Sequence, residues 1–220
     1  MLKRIAVPIT APLMEDALGD IQEASEVADI IELRLDYMSN PNLERLVEAS
    51  TIPVIVTNRH PDEGGKNKII TEKERINYLQ RACHLGVKYV DMELGHFHDL
   101  DRKATTRLIV SYHNFDETPQ NLDVIYKTIF DKGADIVKIA TKANSYDDSR
   151  RMLNLIADKH NEMDIIGICM GEKGTITRVL GPVYGGYLTF ASLDKGKASA
   201  PGQLSVHELK TAWKILELEK

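Results

Sequence analysis

Asp135-Ile136-Val137-Lys138-Ile139-Ala140 is a short apolar run carrying one lysine in its middle. Its β-branched side chains suit a pleated, buried strand. A charged ammonium is expensive in such surroundings, so burial favours the uncharged amine, and an uncharged amine is a nucleophile toward carbonyl carbon. The plainer reading is a lysine at a strand end whose head reaches out to solvent. Which of the two holds depends on what the rest of the chain places around Lys138.

Working outward, similar apolar runs recur at 4–10, 29–36, 52–58, 88–94, 107–113, 164–170 and 187–192. With 135–141 they make eight predicted strands. Helical spacing fills the intervals at 14–27, 43–49, 71–85, 122–132, 146–161 and 205–218. The last of these opens with Ser205 and Glu208, the spacing of a capping box, and continues with Leu204, Leu209, Trp213 and Leu216 as an apolar stripe. Gly86 and Gly133 stand where helices should stop in the left-handed conformation. Between His96 and Thr105 only about two turns of helix have room.

Strands alternating with helices imply a parallel sheet with helical crossovers, and eight such strands close a (β/α)8 TIM barrel. The expected fold is therefore α/β, one barrel domain over residues 1–220. An open doubly wound sheet fits less well. The first strand runs into Thr10-Ala11-Pro12 rather than a glycine fingerprint.

Composition narrows the function classes. A chain of 220 residues with net charge -5 shows no basic stripe, so no nucleic-acid partner is expected. Met1-Leu2-Lys3-Arg4 has the charge of a leader, but the apolar stretch after it is short and holds Pro8. No stretch reaches membrane-spanning length. The two cysteines, Cys83 and Cys169, form neither a disulfide framework nor a metal-ligand spacing. A cytoplasmic, soluble enzyme acting on a small molecule is the expectation.

In a barrel the reactive groups sit at the C-terminal ends of the strands. Those ends carry Glu32, Arg34 and Asp36, then Thr57 and Arg59, Glu93, His113 and Lys138, with Arg178 and Ser199–Gln203 in later loops. Parity puts Glu32, Arg34 and Asp36 on one face and Ile31, Leu33 and Leu35 on the other; Lys138 shares its face with Ile136 and Ala140. So many polar groups on buried strands require pairing, and converging pairs suggest a pocket. An ion-pair layer that merely fills the barrel is the structural alternative. His113, ending the strand before the lysine strand, is a plausible proton shuttle. The other six histidines, His60 and His96 among them, read as surface or loop residues. Gly171–Thr175 reads as a mobile loop, and residues 195–203 as a second loop over the mouth.

Several segments together resemble type I 3-dehydroquinate dehydratases. They are Glu32-Leu33-Arg34-Leu35-Asp36, Thr57-Asn58-Arg59 with Glu63, Asp91-Met92-Glu93-Leu94, Ser111-Tyr112-His113-Asn114, Lys138-Ile139-Ala140, Met170-Gly171 through Arg178, and Ala198-Ser199-Ala200-Pro201-Gly202-Gln203. They occur in family order and span nearly the whole chain. The resemblance implies a barrel, usually a homodimer, needing no metal or organic cofactor, that converts 3-dehydroquinate to 3-dehydroshikimate in the shikimate pathway. It further implies that Lys138 forms an imine, that His113 is the general acid/base, and that Glu63 orients it. By the same resemblance Arg178 holds the substrate carboxylate, Ser199 and Gln203 belong to the closing loop, and Glu32, Arg34 and Arg59 surround the ring hydroxyls. Loss of water from one ring face, a syn elimination, would follow from a single base serving both proton transfers. The segment from Leu94 to Leu108 is shorter than in many relatives. A class I aldolase would share the lysine, but no convincing phosphate site accompanies it; a non-catalytic sensor would not need both Lys138 and His113 intact.

Overall fold

In the computed structural model residues 3–218 are described; Met1 and Leu2, half of the charged opening, lie outside them. Eight parallel strands alternate with helices. In chain order they are β1 (Ile5–Ile9), α1 (Met14–Val27), β2 (Ile30–Arg34), α2 (Leu43–Glu48), β3 (Val54–Thr57), α3 (Glu72–Leu85), β4 (Tyr89–Glu93) and β5 (Arg107–Asn114). After these come α4 (Leu122–Asp131), β6 (Ile136–Lys142), α5 (Tyr146–Lys159), β7 (Asp164–Met170), α6 (Thr175–Leu180), β8 (Thr189–Phe190) and α7 (Val206–Ile215). The sheet order is β7-β6-β5-β4-β3-β2-β1-β8. At the seam the backbone N–H of Tyr187 donates to Ile165 O at 2.8 Å, so the sheet curls into a nearly closed barrel.

Parity sorts the side chains as expected. Ile31, Leu33, Val137 and Ile139 join the apolar shell between strands and helices. Ile30, Ile55, Ile109, Ile136 and Ile166 meet inside the barrel as a separate plug, with Tyr89 and Tyr187 in the same cluster. The two tyrosine hydroxyls bond to each other at 2.6 Å, so neither polar tip is left bare. The interior is thus filled with side chains below the charged layer, and the lysine stands on an apolar floor.

Local rules account for most boundaries. Ser205 and Glu208 form the expected capping box on α7, and Thr71 with Glu74 and Ser145 with Asp148 make two more. Gly86 caps α3 with φ +81°, where a side chain would be strained. Three expectations change. No α-helix lies between β4 and β5, only a 3-10 turn at Leu94–His96. The segment beyond it packs Phe97 and Leu100 against the core without forming a helix and is also tied down by Gln80 to Asp101 and by Arg102 to Asp135. Gly171–Thr175 is folded onto the barrel rather than free: a 3-10 turn at Glu172–Gly174 runs into α6, and Thr177 Oγ1 accepts from the backbone of Cys169 at 2.8 Å. Lastly, α7 stops at Ile215, which leaves Leu216 half exposed and the buried stripe at Leu209 and Trp213.

Candidate active site

The register of the sheet sets the heights of the polar groups. Lys138 of β6 lies beside Ser111 of β5, and His113 beside Ala140. His113 therefore stands two residues nearer the mouth than the lysine, about 7 Å of strand, and not level with it as equal strand ends would suggest. Both point inward and line one cavity of about 360 Å³.

Lys138, only 5% exposed, is not the lone cation of an apolar tube. Its Nζ donates to Asp91 Oδ2 at 2.6 Å, lies 3.7 Å from Glu32 Oε1, and sits over the Phe190 ring at 4.6 Å. The other Asp91 oxygen accepts from Ser111 Oγ at 2.7 Å and pairs with Arg59 Nη2 at 3.0 Å. Burial alone would raise the Asp91 carboxyl, but the charges of Arg59 and Lys138 overcome it and hold Asp91 well below the usual carboxylate range. Arg59 reaches Glu93 Oε1 at 2.8 Å, and Arg75 of α3 takes Glu93 Oε2 at 2.7 Å from behind the strands. Every buried charge in this layer has an opposite partner, as burial demands.

Glu63, in the 3-10 turn Pro61–Glu63 after β3, accepts from the His113 backbone at 3.1 Å and meets His113 Nδ1 at 2.8 Å. Burial pushes the Glu63 carboxyl up to about 7, against the pull of Arg59. Burial, with Arg59 and Lys138 close by, drives His113 well below the ordinary imidazole value. The pair is thus poised around a neutral imidazole, the form that can accept a proton.

The opposite wall is built differently. Arg178 of α6 is 2% exposed, its Nη1 touches Phe190 O at 3.4 Å, and among the described residues its Nε has no partner. Burial without an acid beside it lowers its pKa to about 10. Arg34, by contrast, is clamped by Asp36 through two bonds of 2.8 Å. Over the mouth, Gln203 Oε1 accepts from the Ser199 backbone at 2.6 Å and from Ser199 Oγ at 3.1 Å, while Gln203 Nε2 is buried and unbonded among the described residues. The nine residues to which the resemblance assigns a role line this one cavity, whereas Asp36, Thr57 and Glu93 from the same strand ends lie outside its lining. Such a site offers an amine on an apolar floor, an acid/base above it and an unsatisfied guanidinium facing the space between them.

A family model described as type I 3-dehydroquinase matches residues 5–220. The chain belongs to that family. A 3-dehydroquinate dehydratase of Methanococcus maripaludis is 41% identical over 97% of this chain and 100% of its own length. Among solved structures, 3-dehydroquinate dehydratase from Geobacillus kaustophilus superposes with a TM-score of 0.87 at 26% identity, covering 100% of this chain and 93% of that one. The type I 3-dehydroquinate dehydratase from Clostridium difficile with covalently modified comenic acid gives 0.85 at 26%, covering 99% and 94%. This type I 3-dehydroquinase chain is thus a (β/α)8 barrel enzyme, and none of its described helices is long and apolar enough to cross a membrane.

Two members of the charged layer escaped the sequence reading of the site. Asp91 lies two residues below the strand end, within the quoted segment Asp91–Leu94, and only the inward parity of Tyr89, Asp91 and Glu93 marks it. Arg75 sits fully buried on α3, where the helical pattern offers no hint of its partner. His60 and His96 do lie in loops as expected, yet their rings stack at the rim with centroids 3.4 Å apart.

Proposed function

We propose that this 3-dehydroquinate dehydratase works through an imine on Lys138. The observation that carries the reading is the vertical arrangement in one cavity: Lys138 on the floor, His113 above it, and Arg178 unpaired on the far wall. The amine adds to the substrate ketone and water leaves, giving a protonated imine that acts as an electron sink. His113 removes the neighbouring proton, and the electron pair is held as an enamine. His113 then returns a proton to the departing hydroxyl on the same ring face, so a second water leaves by syn elimination. Hydrolysis of the conjugated imine takes up one water, releases 3-dehydroshikimate and frees Lys138, for a net loss of one water.

Glu63 positions the imidazole. Arg178 offers its planar fork to the substrate carboxylate, matching charge and shape. Glu32, Arg34 and Arg59 surround the ring hydroxyls, and Ser199 with Gln203 closes over the bound acid and excludes water. The covalently modified ligand of the Clostridium difficile relative agrees with covalent chemistry in this family. We assign the whole chain to one domain, acting in the cytoplasm as a homodimer, without a nucleic-acid partner.

Borohydride reduction during turnover, followed by peptide mass mapping, tests this. The adduct should sit on Lys138, and Lys138→Ala should bind ligand while losing nearly all formation of the ultraviolet-absorbing enone. An adduct on another lysine, or near-normal turnover in that variant, would remove Lys138 from the mechanism.

A further inference from the structure

On the rim of the mouth, outside the cavity, two imidazoles and a carboxylate converge. His60 follows β3 and caps the turn Pro61–Glu63; His96 ends the turn Leu94–His96 after β4. Because β3 and β4 are neighbours, their loops emerge side by side and the two rings stack, 20° from parallel. Asp62 reaches both: its Oδ2 lies 3.6 Å from His60 Nδ1 and 3.6 Å from His96 Nε2. Among the described residues the ion-pair contacts of Asp62 are with these two imidazoles. The backbone N–H of Asp62 donates to His60 Nδ1 at 3.2 Å and so occupies that nitrogen's lone pair, and a metal bound there has to displace this cap.

The spacing of the ligand atoms, before any turning of the rings, approaches that of a metal site. A tetrahedral zinc with bonds of about 2.0–2.1 Å holds its ligand atoms roughly 3.3–3.4 Å apart. Two of the three edges here stand at 3.6 Å, and one ligand atom from each residue lies within 4.8 Å of the others. Glu72 comes within 3.9 Å of His60 Nε2, but Arg75 holds both its oxygens at 2.7 and 2.8 Å, so its charge is already matched.

We propose that His60, Asp62 and His96 form a site for an imidazole-preferring divalent transition metal of the Zn²⁺ class, with solvent completing the tetrahedron. Two imidazoles disfavour the hard, oxygen-seeking cations Mg²⁺ and Ca²⁺. The site also has a route to the chemistry. Nearly parallel rings do not aim their lone pairs at one point, so loading must splay the stack and shift the turn that carries Asp62. The next residue is Glu63, which holds His113. Metal at the rim therefore misplaces the acid/base and slows turnover. This inhibitory consequence rests on the reading of Glu63 and His113 above; binding itself does not.

The test uses the full chain with Zn²⁺ in calorimetry and Co²⁺ as a visible-absorption probe. One metal should bind per chain, with the strong d–d bands of tetrahedral cobalt, and Zn²⁺ should lower turnover until a chelator restores it. His96→Ala should keep metal-free turnover and bind Zn²⁺ about 100-fold more weakly, since even partners one shell from a metal cost roughly 10–100-fold. Asp62→Asn is the second variant, read by the same titration, with circular dichroism confirming that each variant is folded. Absence of saturable Zn²⁺ binding, or affinity unchanged in both folded variants, overturns the site. Binding lost in the variants with no inhibition of the parent upholds the site and overturns its coupling to Glu63.

Discussion

Lys138 Nζ and Asp91 Oδ2 lie 2.6 Å apart at the centre of the barrel, and the same carboxylate also takes Arg59 and Ser111. One carboxylate thus faces both the Lys138 ammonium and the Arg59 guanidinium and fixes the position of the amine above its floor of isoleucines. Asp91→Asn keeps the shape and removes the charge. Taking one partner from a buried pair costs about 3–5 kcal/mol. For a chain of this length each kcal/mol moves Tm by about 2–4 °C. Thermal circular dichroism should therefore find the variant melting roughly 6–20 °C lower. A melting temperature indistinguishable from the parent would mean that Asp91 is not the anchor of this layer.

The Glu63–His113 pair makes a prediction about pH. With Glu63 ionised, His113 Nδ1–H donates to it and Nε2 keeps a lone pair for the substrate proton. With Glu63 protonated, its hydroxyl donates to Nδ1, Nε2 carries the hydrogen, and the ring is no longer a base on that side. Since burial raises Glu63 to about 7 and depresses His113, kcat/KM should rise through about pH 7 and report the carboxyl rather than the imidazole. The same raised carboxyl favours the fold below its ordinary 4.5, a contribution lost as pH rises through about 7. In Glu63→Gln the rising limb should vanish from a reduced rate. Its persistence at the same pH would assign it to another group.

The barrel was legible because strand parity is local information. Glu32 and Arg34 against Ile31 and Leu33 say which face looks inward without any knowledge of distant contacts, and the structure agrees at each. The strand β2 ends at Arg34, so Leu35 and Asp36 fall in a 3-10 turn and Asp36 clamps Arg34 instead of lining the cavity. Glu63 and Arg178 were reached through the family resemblance, and the cavity holds both. What stayed hidden was pairing across space. Asp91 meets Lys138 over a separation of 47 residues, from β4 to β6 across the intervening strand. Arg75 meets Glu93 from a helix, and nothing in the spacing of α3 marks that contact. Short elements were hidden too: the six residues of α6 are too few to show a helical period.

Arg178 stores an unpaired charge where an anion is expected. Replacing buried ionic groups with apolar ones of similar volume is often neutral or stabilising by about 1–4 kcal/mol. Arg178→Met should therefore melt at or above the parent temperature without ligand, while KM for the carboxylate substrate rises steeply and kcat/KM falls. Ligand should also lose its stabilising effect on Tm. A clearly lower melting point in the unliganded variant would instead make the guanidinium a structural prop.

Gly202 decides whether the closing loop can seat. Its φ is +74°, and a Cβ there would lie 2.4 Å from Gly171 O. The contact is close because the loop docks through backbone: Gly171 N donates to Pro201 O at 3.0 Å, and Thr175 Oγ1 donates to Gly202 O at 3.2 Å. An L side chain at positive φ costs about 1–2 kcal/mol before the overlap is counted. In Gly202→Ala the loop must lift, taking Ser199 and Gln203 off the cavity. A penalty of about 1.4 kcal/mol is already tenfold, so kcat/KM should fall by about tenfold or more. Melting temperature should barely move, because the barrel core is untouched. Thr175→Val, which loses one hydrogen bond worth about 0.5–1.5 kcal/mol, should show a milder form of the same defect. If Gly202→Ala retains the parent kcat/KM, the docked position of this loop plays no part in turnover.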